Sequence, residues 1–420
     1  MTIWFEYKKD AEFDSTIDNL GLAELLSLVY RGVPFGELIL PSLRWILRRQ
    51  NLQNDTATRS ICLDYLKSAN SIASAFGKLL DNNKPQSVVI FNGQFFPEAT
   101  VRYLAMKRGI RVISHEVALQ PLSAFFTDGE ATAYPIHIPD DFELSAEQNN
   151  QLDSILEKRF CGNFSMAGIH FWPEMKSFPG DFWDKARSFE QIVPVFTNVI
   201  FDTSQAHANV MYPDMFAWLE DVVRLIIENP RTFFVLRAHP DENRPGKEAR
   251  ESVNDWIKEK KVEQLPNVLF LEPGEAYSSY ELIEKSKFVM VYNSTIGLEA
   301  SILGAAVLCA GKARFTQVES VFFPETREQF MIKAREFLSA NKIQVPEIFI
   351  NNARKFLYFQ IFKTSLPFSD FLEDSEYWKG YVKLKEFPPS ALLPVKSVTM
   401  RTIQQGIMDV KPFHFNNQNE

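Results

Sequence analysis

The chain has 420 residues, 45% of them hydrophobic and 23% charged, and a net charge of −8. That length predicts two or three domains, each able to bury its own core, and the acidic balance argues against a general nucleic-acid binder, which carries a basic face. Cys62, Cys161 and Cys309 are odd in number and far apart, so neither a disulfide framework nor a zinc spacing is expected, and buried thiols in a reducing cytosol are the plain reading.

The opening MTIWFEYKKDAEFD has no cationic start followed by an apolar run, which argues against a signal peptide. No stretch approaches the ~18 uninterrupted apolar residues of a membrane span. The expectation is a cytoplasmic protein with at most a peripheral contact at the inner face of the plasma membrane. Residues 1–85 read as mostly helical: Leu20–Tyr30 and Ile61–Leu80 have helical apolar spacing, and Pro85 stops the second run. Leu40–Arg49 mixes apolar and basic residues, as an ordinary amphipathic helix or a segment touching a membrane surface would.

The pattern then changes. Ser87–Phe91 is a short β-branched run, the mark of a buried parallel strand. A turn at Asn92-Gly93, a helix over Pro97–Arg108 closed by Gly109, and a strand at Ile110–Ser114 complete a β-α-β unit. Residues 117–145 read as irregular, and 146–190 as helical, broken by the aromatic-rich FWPEMKSFPGDFW. From residue 191 strands and helices alternate. The strands are Ile192–Phe196, Thr232–Arg237, Val268–Leu271, Phe288–Tyr292 and Ala306–Leu308; the helices are Asp214–Glu228, Tyr280–Lys285 and Thr295–Leu303. That alternation predicts a doubly wound parallel sheet. After Glu325 the chain reads as helical again. Two α/β units in tandem would face each other across a cleft, with ligands outside the carboxyl ends of the strands.

The strongest local feature is Tyr292-Asn293-Ser294-Thr295-Ile296-Gly297-Leu298-Glu299. A strand ends at Tyr292, and Asn293, Ser294 and Thr295 stand where helix caps belong. Gly297 allows close backbone approach, the helix N-terminus suits a phosphate, and Glu299 lies one turn in, within reach of a ribose. A merely capped helix reads the same way. The second feature, Arg237-Ala238-His239-Pro240, follows a strand directly and places two cationic side chains at the same sheet edge. The third, Thr197-Asn198 after the first strand of this unit, offers phosphate contacts or plain turn chemistry. In the first unit Glu116 ends a strand and is the leading candidate for a general base, with Asn92-Gly93 shaping the acceptor side. Asp128 and Glu130, in Thr127-Asp128-Gly129-Glu130, are the rival carboxylates, and a solvated acid is the alternative for each. There is no P-loop, no G-x-G-x-x-G and no G-x-S-x-G. Asp140-Asp141 forms no D-x-D, and the histidines lack ligand spacing, so no essential metal is expected.

The ordered set His239-Pro240, then Asn293-Ser294-Thr295-Ile296-Gly297-Leu298-Glu299-Ala300, resembles the capsule polysaccharide biosynthesis glycosyltransferases: Kdo-transferring enzymes of bacterial capsules and, more distantly, bacterial sialyltransferases. The resemblance spans roughly residues 85–315. It implies an α/β fold of the GT-B type, two Rossmann-like domains facing a cleft, with a helical N-terminal segment and C-terminal helices. The implied boundaries are 1–188 for an acceptor-side domain (helical to 85, α/β over 86–188), 189–345 for the nucleotide-sugar domain, and 346–420 for helices packing back, with Asn351–Phe362 as the crossing helix. His239-Pro240 and Ser294-Thr295 would hold the phosphate of a donor nucleotide, in this group often CMP, and the donor is a substrate rather than a cofactor. Phe196–Asp202 is similar to the group's strand opening the donor domain, and Ser114–Glu116 to its strand-end acid. One departure stands out: where the sialyltransferases have two acids before a glycine, Thr127-Asp128-Gly129 has one. The implied function is metal-independent, inverting transfer from a nucleotide sugar to a capsular or surface glycan, with a polysaccharide-assembly complex among the implied partners. A nucleotide-sugar epimerase of the same fold, a non-catalytic assembly protein, and a phosphotransferase making polyol-phosphate polymers are the competing readings.

Overall fold

The computed structural model describes residues 8–133, 135–161, 165–166, 169–170, 175–246, 248–377 and 381–415. Nine strands make the two main sheets. In chain order they are β1 (Ser87–Phe91), β2 (Arg111–Val117), β3 (Ser123–Asp128), β4 (Gln191–Phe196), β5 (Thr232–Arg237), β6 (Val268–Leu271), β7 (Val289–Val291), β8 (Val307–Cys309) and β9 (Leu366–Pro367).

The helical start is built on one long element. Helix Thr56–Asn83 begins at Asp55, whose carboxylate accepts the Thr58 amide at 2.7 Å, and ends on Lys84 in a left-handed conformation. Cys62, Leu66, Ala69 and Leu80 form its buried stripe and join Phe13, Phe35, Ile39 and Leu43 in one core under β1 and β2. The helix runs past the Ile61–Leu80 pattern because its N-terminal turn carries no apolar signal beyond the cap. Of Leu40–Arg49, the residues to Leu47 belong to helix Phe35–Leu47, which buries Leu38, Ile39, Leu43 and Leu47, and Arg48 closes it in a left-handed conformation. Its basic end does not turn to a surface of its own. Arg48 Nη1 reaches the Gly246 carbonyl at 3.4 Å and Glu248 at 3.3 Å, and Glu251 accepts the Gln50 and Asn51 amides, both at 2.8 Å. This corner is therefore a contact between the two units.

The first sheet runs β1-β2-β3-β9. β1 and β2 are parallel, from Ser87 opposite Arg111 to Phe91 opposite His115, as the β-α-β pattern predicts. The region expected to be irregular contains β3, which pairs antiparallel with β2. Ser123, Phe125 and Thr127 alternate inward along it, but a period-2 signal with polar residues at two of three inward positions reads weakly. β9 adds a fourth strand, antiparallel to β3. The first unit is thus α/β with a mixed sheet.

The second sheet is all parallel, in the order β8-β7-β4-β5-β6. β4, first in the chain, sits in the middle. The chain builds outward through β5 and β6, then returns to the other side of β4 for β7 and β8. That reversal makes a topological switch point, and its crevice opens at the carboxyl ends of β4, β5 and β7. All six residues of β5 are buried. Helix Met215–Glu228 covers this sheet with Met215, Trp218, Leu219, Val222, Leu225 and Ile226, the spacing of a helix with one apolar face. Helix Glu347–Tyr358 packs on helices Ile296–Ile302 and Ala146–Phe160, and Arg354 reaches Asn149 and Asp153, both at 2.8 Å. The chain then enters the first sheet as β9. No described helix is long and apolar enough to cross a membrane.

Candidate functional site

The crevice at the switch point is a pocket whose wall includes Thr197, Arg237, His239, Pro240, Ser294 and Thr295. Three loops, each following a buried strand, converge there. After β5 the Ala238 amide donates to the Leu271 carbonyl at 3.1 Å, and Pro240 opens a short turn, Pro240–Asn243, capped by His239. His239 Nδ1 accepts the Asp241 amide at 3.2 Å. Burial, helped by the Arg237 charge, holds the imidazole below its ordinary pKa against Asp241 and Asp202. The ring is therefore neutral at pH 7. With Nδ1 accepting, its proton is assigned to Nε2.

Arg237 lines the pocket, yet its fork is engaged elsewhere. Nη1 donates to the Tyr277 carbonyl and Nη2 to that of Glu275, at 3.1 Å. Burial pushes its pKa down to about 10, which leaves it charged at neutral pH. It offers the site a fixed charge more than a bidentate clamp.

The Asn293–Glu299 segment divides its labour differently from the sequence expectation. Asn293 Oδ1 accepts from Asn198 at 2.8 Å and from Gln205 at 3.3 Å, so Asn293 and Asn198 tie the loop after β4 to the loop after β7. Thr197 donates to the Arg237 carbonyl at 3.0 Å. Ser294 and Thr295 are the residues presented to the pocket, and the Thr295 hydroxyl caps no amide of the following helix. Gly297 is required for packing rather than ligand approach. A Cβ there would meet Val291 Cγ2 at 3.0 Å and Phe315 Cζ at 3.1 Å, so the glycine lets the helix close onto β7. Glu299 is not held ready for a ribose: it accepts from the Tyr280 hydroxyl and pairs with Arg159 Nε at 2.5 Å. Burial and then the Glu299 charge raise the Tyr280 pKa, which keeps that hydroxyl protonated as the donor.

Arg159 and Tyr280 both line the pocket and were not singled out by sequence. Arg159 ends helix Ala146–Phe160, whose composition (AEQNNQLDSILEKRF) is that of a solvated surface helix. Its ion-pair partner, Glu299, lies 140 positions further along the chain.

The first-unit acids separate. Glu116, half-buried at the carboxyl end of β2, accepts from Asn92 Nδ2 at 2.7 Å and from the Val117 amide at 2.9 Å. Asp128 lies outside the cleft. Because β3 runs antiparallel, its end falls opposite Ile113, toward the amino end of β2. There Asp128 pairs with Arg111 at 2.5 and 2.9 Å, and Arg111 also holds the Gly406 carbonyl at 2.8 Å. Glu130, two residues on, does cross the cleft. It contacts His207 Nε2 of the second unit at 2.5 Å and is also bound by Arg102 and Gln94. Burial opposes its ionisation, but the His207 hydrogen bond and the Arg102 charge outweigh burial and hold the carboxyl below its ordinary pKa. Sequence reading did not single out His207, because no motif surrounds it.

Residues 185–320 match the family described as capsule polysaccharide biosynthesis protein. The match runs from before β4 to beyond β8 and contains every pocket residue except Arg159 and Met175. Over these residues the match agrees with the resemblance carried by His239-Pro240 and Asn293–Ala300. No curated protein matches the chain. Among solved structures, the beta Kdo 2,4 transferase of Thermosulfurimonas dismutans KpsC is 13% identical, with 66% of this chain and 79% of that one covered at a TM-score of 0.43. The beta Kdo 2,7 transferase of the same KpsC is 13% identical, with 74% and 85% covered at 0.40. The UDP-GlcNAc 2-epimerase of Neisseria meningitidis, bound to UDP-GlcNAc, is 15% identical, with 69% and 80% covered at 0.29. All three overlays are loose, the epimerase's more than the transferases'.

Proposed function

We propose that the chain is a glycosyltransferase that takes a sugar activated by a nucleotide and passes it to a capsular or other surface glycan. One observation carries the reading: the loops after β5 and β7, with His239 and Ser294-Thr295, meet in a single pocket at the switch point of a family-matched sheet. In this reading the donor phosphate lies against the Ser294 and Thr295 hydroxyls and the Nε2–H of His239. Arg159 and Arg237 supply fixed positive charge nearby. As the bond to the sugar breaks, negative charge grows on the departing phosphate, and donors already oriented in a partly buried site stabilise it without reorganising. Tyr280 and Glu299 position Arg159. The acceptor comes from the first unit, where Glu116 and Glu130 are the acids able to take a hydroxyl proton. Closing the cleft would keep water from the donor. Such a donor implies work on the cytoplasmic side of a membrane.

The test is thermal unfolding with CMP, UDP, GDP, ADP and dTDP, on the wild type and His239→Ala. A nucleotide present at 100 times its Kd stabilises the fold by about 2.7 kcal/mol. One nucleotide should shift the wild type and not the variant, and with its sugar donor His239→Ala should lower kcat/KM at least about tenfold, roughly 1.4 kcal/mol. If no nucleotide shifts the wild type, the transferase reading fails. If a nucleotide sugar is converted to another free nucleotide sugar without an acceptor, the epimerase reading replaces it.

A further inference from the structure

The donor pocket and the first-unit acids are joined by a continuous series of hydrogen bonds that passes through one short helix, Gln205–Ala208. On the pocket side Asn293, next to the pocket-lining Ser294, donates to the Ser204 hydroxyl and accepts from Gln205 Nε2, both at 3.3 Å. At the other end of the helix the Ala208 carbonyl accepts the Lys312 amide at 3.0 Å, and Asn209 accepts the Tyr292 hydroxyl at 2.6 Å. His207 leaves the helix toward the first unit, where its Nε2 meets Glu130 Oε2 at 2.5 Å and Gln94 contacts both. From Glu130 the series continues to Glu116. The Ala131 amide donates to the Asn92 carbonyl at 3.0 Å, Asn92 Oδ1 accepts the Gln94 amide at 3.1 Å, and Asn92 Nδ2 donates to Glu116 at 2.7 Å. Asn92 is buried and left-handed, φ 52°, and Gly93 follows at φ 88°. Asn and Gly are the residue types that tolerate this conformation.

Contact alone does not transmit anything between two sites; an element that both sites bias does. Gln205–Ala208 is such an element. A single helical turn has almost no stability of its own, so its place is set by what holds it, Asn293 from the pocket loop and Glu130 from across the cleft. The His207–Glu130 contact joins the two units, so it exists only while the cleft is shut at this edge. We propose that His207 is a positioning residue that couples the donor pocket to the acceptor-side acid: a donor phosphate on Ser294 steadies Asn293 and the helix, His207 fastens on Glu130, and Asn92 then sets the Glu116 carboxylate. Glu130, bound by a guanidinium, an amide and an imidazole, is the catch, and Glu116 is the base. This role rests on the transferase reading. Coupling of this kind is reciprocal, so the catch that the donor tightens should in turn tighten the donor.

Two measurements on the full chain test it. Amide hydrogen exchange without nucleotide reads the catch across the cleft: His207→Ala should speed exchange in the first unit around Ala131, and Glu130→Ala should speed it in the second unit over residues 204–209. Calorimetric titration with whichever of CMP, UDP, GDP, ADP and dTDP shifts the wild type reads the coupling. His207→Ala should weaken that nucleotide about fivefold or more, His207→Gln, which keeps a donor, should restore most of the loss, and adding Glu130→Ala to His207→Ala should cost little further. Glu248→Gln, which loosens the separate inter-unit contact at Arg48, should leave the Kd at the wild-type value. The His207 side chain is partly exposed, so its variants should fold, and they decide the matter if Glu130→Ala, which takes the carboxylate from Arg102, does not. Unchanged exchange across the cleft overturns the catch whether or not a nucleotide binds. Altered exchange with a wild-type Kd in His207→Ala, or an equal loss in Glu248→Gln, overturns the coupling alone. A wild type that binds none of the five overturns the coupling together with the transferase reading, and the exchange data then still report on the catch.

Discussion

Glu242 offers a measurement that probes the scaffold under His239 directly. It sits in the turn that His239 caps, is 1% exposed, and accepts the Val253 amide at 3.0 Å through Oε1. Oε2 has no partner among the described residues. Burial pushes the carboxyl up to about 8, against an ordinary value of 4.5, with Asp255 adding to the rise and the Val253 amide opposing it. The folded state therefore keeps a proton that the unfolded chain releases. A raised pKa contributes stability that is fully present below about 4.5 and is lost as pH climbs to about 8. Inside that window one group changes stability by at most ~1.4 kcal/mol per pH unit. Two units, from pH 5.5 to 7.5, then give a ceiling of about 3 kcal/mol. Glu242→Gln cannot ionise and should lack this slope. Its buried amide adds a fixed cost of ~1–3 kcal/mol, so the quantity to read is not the variant's stability at one pH. It is how the wild-type-minus-variant difference in urea unfolding free energy changes with pH. That difference should fall steadily from pH 5.5 to 7.5. A flat difference would mean that Glu242 titrates like an exposed carboxyl and that water reaches Oε2, and the account of this turn as a dry support for His239 would be wrong.

Two further results are expected. Gly297→Ala puts a methyl 3.0 Å from Val291 and 3.1 Å from Phe315, and should destabilise the chain by ~1–3 kcal/mol as overpacking does; because the pocket does not use Gly297 itself, nucleotide affinity measured well below the unfolding temperature should change little, and a large loss of affinity would return Gly297 to the binding site. Glu130→Gln and Glu116→Gln should part company in transfer assays: the acid that serves as base should cost ~10²–10⁴-fold in kcat with the nucleotide Kd unchanged, and wild-type kcat in both variants would remove first-unit acids from the chemistry.

How much of this was readable in the sequence depends on whether the decisive contact is local. β5 and β7 are short runs buried on every side, so TFFVLR and VMV declare themselves without reference to the rest of the chain. His239-Pro240 and Ser294-Thr295 are legible for the same reason, since a residue just past a parallel strand is placed by that strand. β3 announces little: its inward positions are Ser123, Phe125 and Thr127, and its pairing with β2 is what makes it a strand. Missing β3 led directly to the misplacement of Asp128, because only an antiparallel strand carries its last residue back toward the amino end of its neighbour. Glu299 lines the pocket but is held by Tyr280 and Arg159, and Gly297 stands outside the pocket wall, where it lets the helix close onto β7. Their partners, Arg159 for one and Phe315 for the other, are brought near by folding and leave no trace in the local pattern.

The assignments of Arg159, Glu299 and His239 bear on how such a pocket would hold a phosphate. Arg159 is paired with Glu299, Arg237 donates to two backbone carbonyls, and His239 is neutral. The pocket also contains Asp241, so its two guanidinium charges are matched by two carboxylates before any ligand arrives. A cavity with net positive charge would attract any polyanion and bind it in many poses. A balanced one has to rely on direction: the Nε2–H of a histidine fixed through Nδ1, hydroxyls at a strand end, and guanidinium groups locked by their own partners. Oriented donors in a partly buried site are worth more than the same donors in water, and they distinguish a phosphate in one place from a phosphate anywhere nearby. On this argument the residues that appear merely structural, Glu299, Tyr280 and the carbonyls of Glu275 and Tyr277, are what convert two long, mobile cations into a fixed field. A donor that must lose its phosphate along one line requires that kind of field.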